Sequence, residues 1–303
     1  MLRWRIIIGT VLVSLLLGLC WLDAHATRPG IYLFPLAIAL CVLATGELIR
    51  LFRAIGHTPQ SRAVHTSTLL VVLAASVPIA WQMPPTDFSV GKLGFLAGGL
   101  IAGLVVNVVA EMLRYQQSGK TIMNIALASF AVLYLGGLLG FLVQLRLLPV
   151  DGDVSRGGML ALFSMIAVVK FTDIGAYFAG RTWGKHKMAP VLSPGKTWEG
   201  AAGGLVLAVA TALFCLGPMA RMMGVASSHE GLTWLAGSVG YGVVVGLAGM
   251  LGDLAESLLK RDAGVKDSSD WLPGFGGVLD LLDSLLVAGP AAYLMWVSGW
   301  VGP

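Results

Sequence analysis

Apolar runs bounded by charge, glycine or proline recur along the whole chain, at 6–22, 31–49, 67–83, 94–112, 122–145, 158–179, 199–220, 234–253 and 277–300. A hydrocarbon slab about 30 Å thick takes about 20 residues per helical crossing. The pattern therefore predicts an all-α, polytopic membrane protein of about nine transmembrane helices. It divides into 1–150, about five spans defined by hydropathy alone, and 151–303, where polar residues interrupt the apolar runs and face one side of the membrane.

Composition narrows the class further. The 303 residues are 56% hydrophobic and 12% charged, against about 25% charged in soluble proteins. This excludes a freely soluble enzyme, a disordered tail and a secreted disulfide scaffold. Cys20, Cys41 and Cys215 lie in apolar stretches with no paired spacing, so they read as small core residues. A net charge of +4 does not point to nucleic acid. Its distribution is more informative. With the N-terminus inside, the inner segments hold fourteen Lys and Arg and the outer ones five, with Lys170 inside a span. That bias puts the loops after spans 2, 4, 6 and 8 in the cytoplasm. Arg3 and Arg5 precede an apolar run ending in Ala24-His25-Ala26, a form shared by a first span and a cleavable signal segment. Either way, span 2 enters from the outside.

Ionisable residues within spans are expensive and mark functional hypotheses. Lys170 and Asp173 sit at i,i+3 in span 6 and can pair on one helix face. Span 8 carries Asp253, Glu256, Ser257 and Lys260 as a single polar stripe. Span 9 begins after a Gly-rich turn, Pro273–Gly277, with Asp280 and Asp283 in its first turns. A helix start favours carboxylates in any case, and the turn's amide groups are open to a phosphate. The span directions bring Asp173, Asp253, Asp280 and Asp283 to cytoplasmic helix ends, beside loops rich in Lys and Arg. Carboxylates next to basic loops suit a divalent cation and a polyphosphate, because Mg²⁺ takes oxygen ligands from one or two carboxylates and from substrate phosphates. His186, in "GKHK", reads as solvated loop.

The run "SLLKRDAGVKDSSDWLPGFGGVLDLLDS", Ser257–Ser284, resembles the signature of the phosphatidate cytidylyltransferases, and "DIGAYFAGRTWGKHKMAPVLSPGKTWEG", Asp173–Gly200, resembles a second block of that family. The resemblance covers roughly the last 130 residues. It implies transfer of CMP from CTP to phosphatidic acid, with pyrophosphate released, by an enzyme of the bacterial-type plasma (inner) membrane whose site faces the cytoplasm. It implies a metal site at Asp253 and Asp280, holding Mg²⁺ with room for a second cation. Catalytic roles fall to Asp253, Lys260, Arg261, Asp280 and Asp283, and substrate binding to Asp173, Lys196, Glu199, Ser257, Lys266 and Asp267. The partners implied are phosphatidic acid, CTP and membrane lipid, with a homo-oligomer allowed and no nucleic acid.

Three positions depart from the family pattern: Phe275 replaces a histidine, Leu281 an arginine and Gly195 a second lysine. Phe cannot donate a hydrogen bond and Leu cannot pair with phosphate. The alternatives are therefore a catalytically weak relative that binds lipid or nucleotide, and the same transfer to another lipid phosphate. An ion-coupled transporter using Lys170, Asp173 and Glu111 would be expected to carry its charges near the midplane, whereas these charges gather at one face.

Overall fold

The computed structural model describes the backbone of residues 2–80, 91–116, 119–148, 154–225, 229–269 and 276–302. Its helices are α1 (Leu2–Ala24), α2 (Leu33–Ala54), α3 (Ser61–Ala80), α4 (Gly91–Arg114), α5 (Thr121–Arg146), α6 (Val154–Trp183), α7 (Trp198–Met222), α8 (Gly231–Asp262) and α9 (Val278–Val297). One antiparallel hairpin, β1 (Lys187–Ala189) and β2 (Ser193–Thr197), joins α6 to α7. Among the described residues, α2 and α4 to α9 are the seven helices long and apolar enough to cross a membrane, while α1 and α3 supply shorter apolar stretches, Ile8–Ala24 and Ser61–Val77. The chain is an all-α integral membrane protein; seven of the nine expected crossings fall on full-length helices, and the other two fall on the shorter stretches, so nine crossings are not established.

Three helices run past their expected ends by a turn or more: α2 continues from 49 to Ala54, α6 from 179 to Trp183 and α8 from 253 to Asp262. Hydropathy marks where an apolar environment stops, not where backbone hydrogen bonding stops. The 32 residues of α8 extend about 48 Å at 1.5 Å per residue, well beyond a slab of about 30 Å. Asp253, Glu256, Ser257 and Lys260 thus all lie within the helical stretch Gly231–Asp262.

The chain forms two compact units, Met1–Gln144 with Leu259–Leu281, and Leu145–Leu258 with Leu282–Pro303. In the first, α3 packs on α4 and on a π-helical turn of α5, Val132–Gly137. Glycines four apart on α4 make this approach possible: a Cβ on Gly99 would lie 2.8 Å from the Ala74 Cβ, and one on Gly103 would lie 3.3 Å from the Ser67 carbonyl. Small residues that let backbones meet are the usual means of packing helices in lipid. Several buried polar groups find partners inside the unit. Thr45 and Thr68 share a 3.0 Å hydroxyl bond, and the buried Asp23 carboxylate accepts the amides of Gly30 and Tyr32, both at 2.9 Å, at the entry to α2.

In the second unit α6 packs along α7. A Cβ on Gly175 would lie 2.8 Å from the Gly203 carbonyl, and one on Gly204 would lie 2.9 Å from that of Thr172. α8 closes on α7 through Gly242, whose Cβ would lie 2.7 Å from the Val209 Cα. Ser164 and Tyr241 bond to each other at 3.0 Å in the core. The hairpin delivers the chain to α7 in extended conformation, where the Thr197 hydroxyl accepts the Gly200 amide at 3.1 Å and caps the helix.

These contacts predict that Gly175→Leu, which places a side chain against the α7 backbone, costs about 1–3 kcal/mol as other overpacking changes do. It should lower the melting temperature of the detergent-solubilised protein. Val206→Leu, on the exposed side of α7, should leave it unchanged.

Candidate active site

The start of α9 is held by several side chains. Gly276 sits at φ +80°, a region that favours glycine. Gly277 precedes the first helical residue, and Asp280, at the third helical position, returns its Oδ2 to the Gly277 amide at 2.7 Å. This is the reciprocal half of a capping box. The same oxygen accepts the Ser268 amide at 3.0 Å and is 2.6 Å from the Ser268 hydroxyl, while Oδ1 takes the Lys260 ammonium at 2.5 Å. Both charged side chains are about nine-tenths buried, at 12% and 11% exposure.

Sequence reasoning overlooked the residue that completes this turn. Glu47, in α2, accepts the Val278 amide on Oε1 at 3.0 Å and the Leu279 amide on Oε2 at 2.8 Å. Its Oε2 is 2.9 Å from the Ser268 hydroxyl. That hydroxyl has one proton for two carboxylates, so it donates to Glu47 or Asp280 in turn. Arg50, 3.7 Å away on the same helix, supplies the counter-charge. A Cβ on Gly277 would overlap the Ser268 hydroxyl and the Glu47 carboxylate. Of the amides the sequence offers to a phosphate, that of Gly277 is held by Asp280, and the next two, of Val278 and Leu279, are held by Glu47. The signal was available, since Glu47 is an acid inside an apolar run, three residues before Arg50.

The second unit holds its own charged group. Lys196, from β2, lies 2.8 Å from Asp253 Oδ2 on α8 and 3.4 Å from the Met250 carbonyl. Lys170 and Asp173 pair on α6 at 3.8 Å, as their spacing suggests, and Lys170 also reaches the Ser284 hydroxyl at 3.4 Å. Asp253 acts electrostatically on both Asp173 and Asp283. The Asp283 carboxylate is buried and takes the Ser284 amide. Glu199 ties down the strand entrance. It accepts the amides of Lys185 and His186 at 3.1 and 3.2 Å and meets His186 Nδ1 at 2.6 Å.

The candidate residues thus fall into two sets. Lys260, Arg261, Lys266, Asp267 and Asp280 belong to the first unit, and Asp173, Lys196, Glu199, Asp253, Ser257 and Asp283 to the second. Lys260 and Asp280 meet directly, whereas Arg261 turns to the Val265 carbonyl at 3.3 Å and Lys266 and Asp267 are exposed. Ser257 is buried on α8. Pro273, Gly274 and Phe275 lie outside the described residues. Leu281 is half-buried, and a Cβ on Gly195 would meet open space.

Among the described residues, no three His, Cys, Asp or Glu side chains form a ready-made metal cluster. A cation that completes its shell with substrate phosphates needs only one or two carboxylates. Taken each within its own unit, Asp253 and Asp280 offer hard oxygen of that kind, and each already holds a positive group, the ammonium of Lys196 or Lys260.

Residues 3–298 match the model of the cytidylyltransferase family. Three similar proteins are each named phosphatidate cytidylyltransferase. The one from Pseudomonas aeruginosa is 41% identical over 47% of this chain and 49% of its own length. That from Haemophilus influenzae is 42% identical over 49% of each. That from Mycobacterium bovis is 30% identical over 95% of this chain and 87% of its own length. The chain spans about half the length of the first two relatives and most of the third.

The two glycines with opposite surroundings give a direct check on the site. Gly277→Ala should destabilise the protein by about 1–3 kcal/mol through overlap with Glu47 and Ser268. Gly195→Lys should be accepted with no change in melting temperature, because its side chain enters open space.

Proposed function

The chain belongs to the cytidylyltransferase family, and from that premise we propose that it transfers CMP from CTP to phosphatidic acid, giving CDP-diacylglycerol and pyrophosphate. The observation that carries this reading is the pairing of each key motif carboxylate with a motif lysine, Asp253 with Lys196 and Asp280 with Lys260. A metal–nucleotide complex brings a cation and an anion together, so it matches such resting pairs charge for charge. The lysines turn to phosphate oxygens, where an ammonium stabilises charge that grows during reaction. Arg261 and Lys266, exposed beside Lys260, add positive charge for the departing pyrophosphate.

The chemistry places modest demands on proton transfer. A phosphatidate oxygen attacks the α-phosphorus of CTP, the bond to the β-phosphate bridging oxygen breaks, and pyrophosphate leaves with that electron pair. A phosphate monoester, with a second pKa near 6, is largely ionised at neutral pH and needs no general base. A missing histidine at 275 is compatible with this. Mg²⁺, when bound, supplies the counter-charge that lets two anions approach. Asp253 and Asp280 are each assigned to offer it an oxygen, by the motif and by the lysine each now holds. Asp173, Ser257, Asp267 and Asp283 are assigned to orient substrate and the charged groups around it, and Glu199 to hold the strand entrance beside Lys196. The bias of Lys and Arg supports a cytoplasmic site, and the bacterial relatives support the inner membrane.

Purified protein in mixed micelles, given Mg²⁺, phosphatidic acid and labelled CTP, should move label into the lipid fraction. Asp253→Ala and Asp280→Ala should each reduce the rate by at least about 100-fold, and chelation of divalent ions should abolish it. Label transferred equally well by both variants would remove these carboxylates from the mechanism. Binding of CTP without transfer by the wild type would instead identify a non-catalytic relative.

A further inference from the structure

Besides Lys260, Asp280 has partners within its own turn and in Ser268, but neither Ser268 nor the turn is self-supporting. The first amides of any helix lack intrahelical acceptors. In α9 the Gly277 amide is taken by Asp280, which leaves those of Val278 and Leu279 to Glu47. Glu47 also shares the Ser268 hydroxyl with Asp280. It is 3% exposed, so water does not replace it readily. A buried carboxylate is costly unless fully bonded. Glu47 meets that requirement with two amides, one hydroxyl and Arg50, and the close approach it makes requires glycine at 277.

We propose that Glu47 is a positioning residue for cytidylyl transfer: from α2 it clamps the Ser268 hydroxyl and the Val278 and Leu279 amides, and so fixes Asp280 and its partner Lys260. This rests on the function proposed above. Glu47 is buried and is assigned no substrate contact. Its effect passes through the turn, and a displacement of about 1 Å in a reacting group can cost about 100-fold in rate. The consequence is a signature with a distant prop. Ser268, Val278 and Leu279, within the motif, depend on a carboxylate more than 200 positions upstream, in a helix that carries no part of the motif.

The test compares wild type with Glu47→Gln, Glu47→Ala and an exposed control, Glu230→Gln, all as full-length protein in mixed micelles. Turnover is followed as kcat and KM for CTP, and hydrogen exchange is read over 276–283. Glu47→Ala, which leaves two amides without an acceptor, should lower kcat by about 10- to 100-fold. KM for CTP should change less than about threefold, because no substrate contact is lost, and exchange at 276–283 should accelerate. Glu47→Gln keeps one carbonyl acceptor and should retain an intermediate kcat with intermediate exchange, while Glu230→Gln matches wild type. Both Glu47 variants keeping wild-type kcat would overturn the proposal, and so would unchanged exchange at 276–283. A variant that loses activity with accelerated exchange everywhere would show a general folding role instead and would also overturn it. Should the wild type transfer no label, the functional reading fails, and exchange over 276–283 then decides on its own whether Glu47 holds the turn.

Discussion

A polar group in hydrocarbon must find its partner inside the protein, because no water is there to take its place. Helix starts are where this constraint is hardest to meet, since the first amides have no acceptor within the helix. Among the described residues, three starts meet it with side-chain oxygens: Asp23 for the entry to α2, Thr197 for α7, and Glu47 with Asp280 for α9. At α9 two carboxylates converge on one turn. A simple cap needs one acceptor. The second keeps Asp280 in place while its outer oxygen holds a lysine.

That division of labour constrains the backbone of the turn. Oδ2 of Asp280 is committed to the turn through Gly277 and Ser268, and Oδ1 alone is given to Lys260. One carboxylate thus does two things at once, and each depends on the glycine pair. Gly276 takes a φ of +80°, while Gly277 leaves room for two neighbouring oxygens. The second unit is organised differently. Its carboxylates Asp173, Asp253 and Asp283 interact through charge, and Lys170 and Lys196 balance them as ion pairs. Pairs of this kind contribute little net stability when partly exposed, as Lys170 and Asp173 are at 42% and 43%. Their value lies in charge that can be redirected when another anion arrives.

Much of this was legible in the sequence, for reasons that also mark where legibility ends. Apolar run length reported the helices because hydrocarbon thickness sets it, yet it missed the extra turns of α2, α6 and α8, which backbone hydrogen bonding sustains past the apolar run. The i,i+3 spacing of Lys170 and Asp173 reported their pair because both residues ride one helix. Pairs that join separate elements, such as Lys196 with Asp253 or Lys260 with Asp280, have no local periodicity and emerge only once the chain is folded. The hairpin at Lys187–Thr197 was missed because its strands are three and five residues long, too short for an alternating pattern to register.

Glu47 is the sharpest case of the same limit. Its neighbours in α2 are apolar, and one acid beside Arg50 resembles a snorkelling pair at a helix end. What distinguishes it is the set of groups it meets, Ser268, Val278 and Leu279, all of them more than 200 residues away. A motif records the residues that must be chemically particular, whereas the groups that hold a motif need only present an oxygen at the right point, and many helices can do that. The N-terminal helices, featureless by hydropathy, therefore do more than anchor the chain, because one of them completes the turn on which the motif is built.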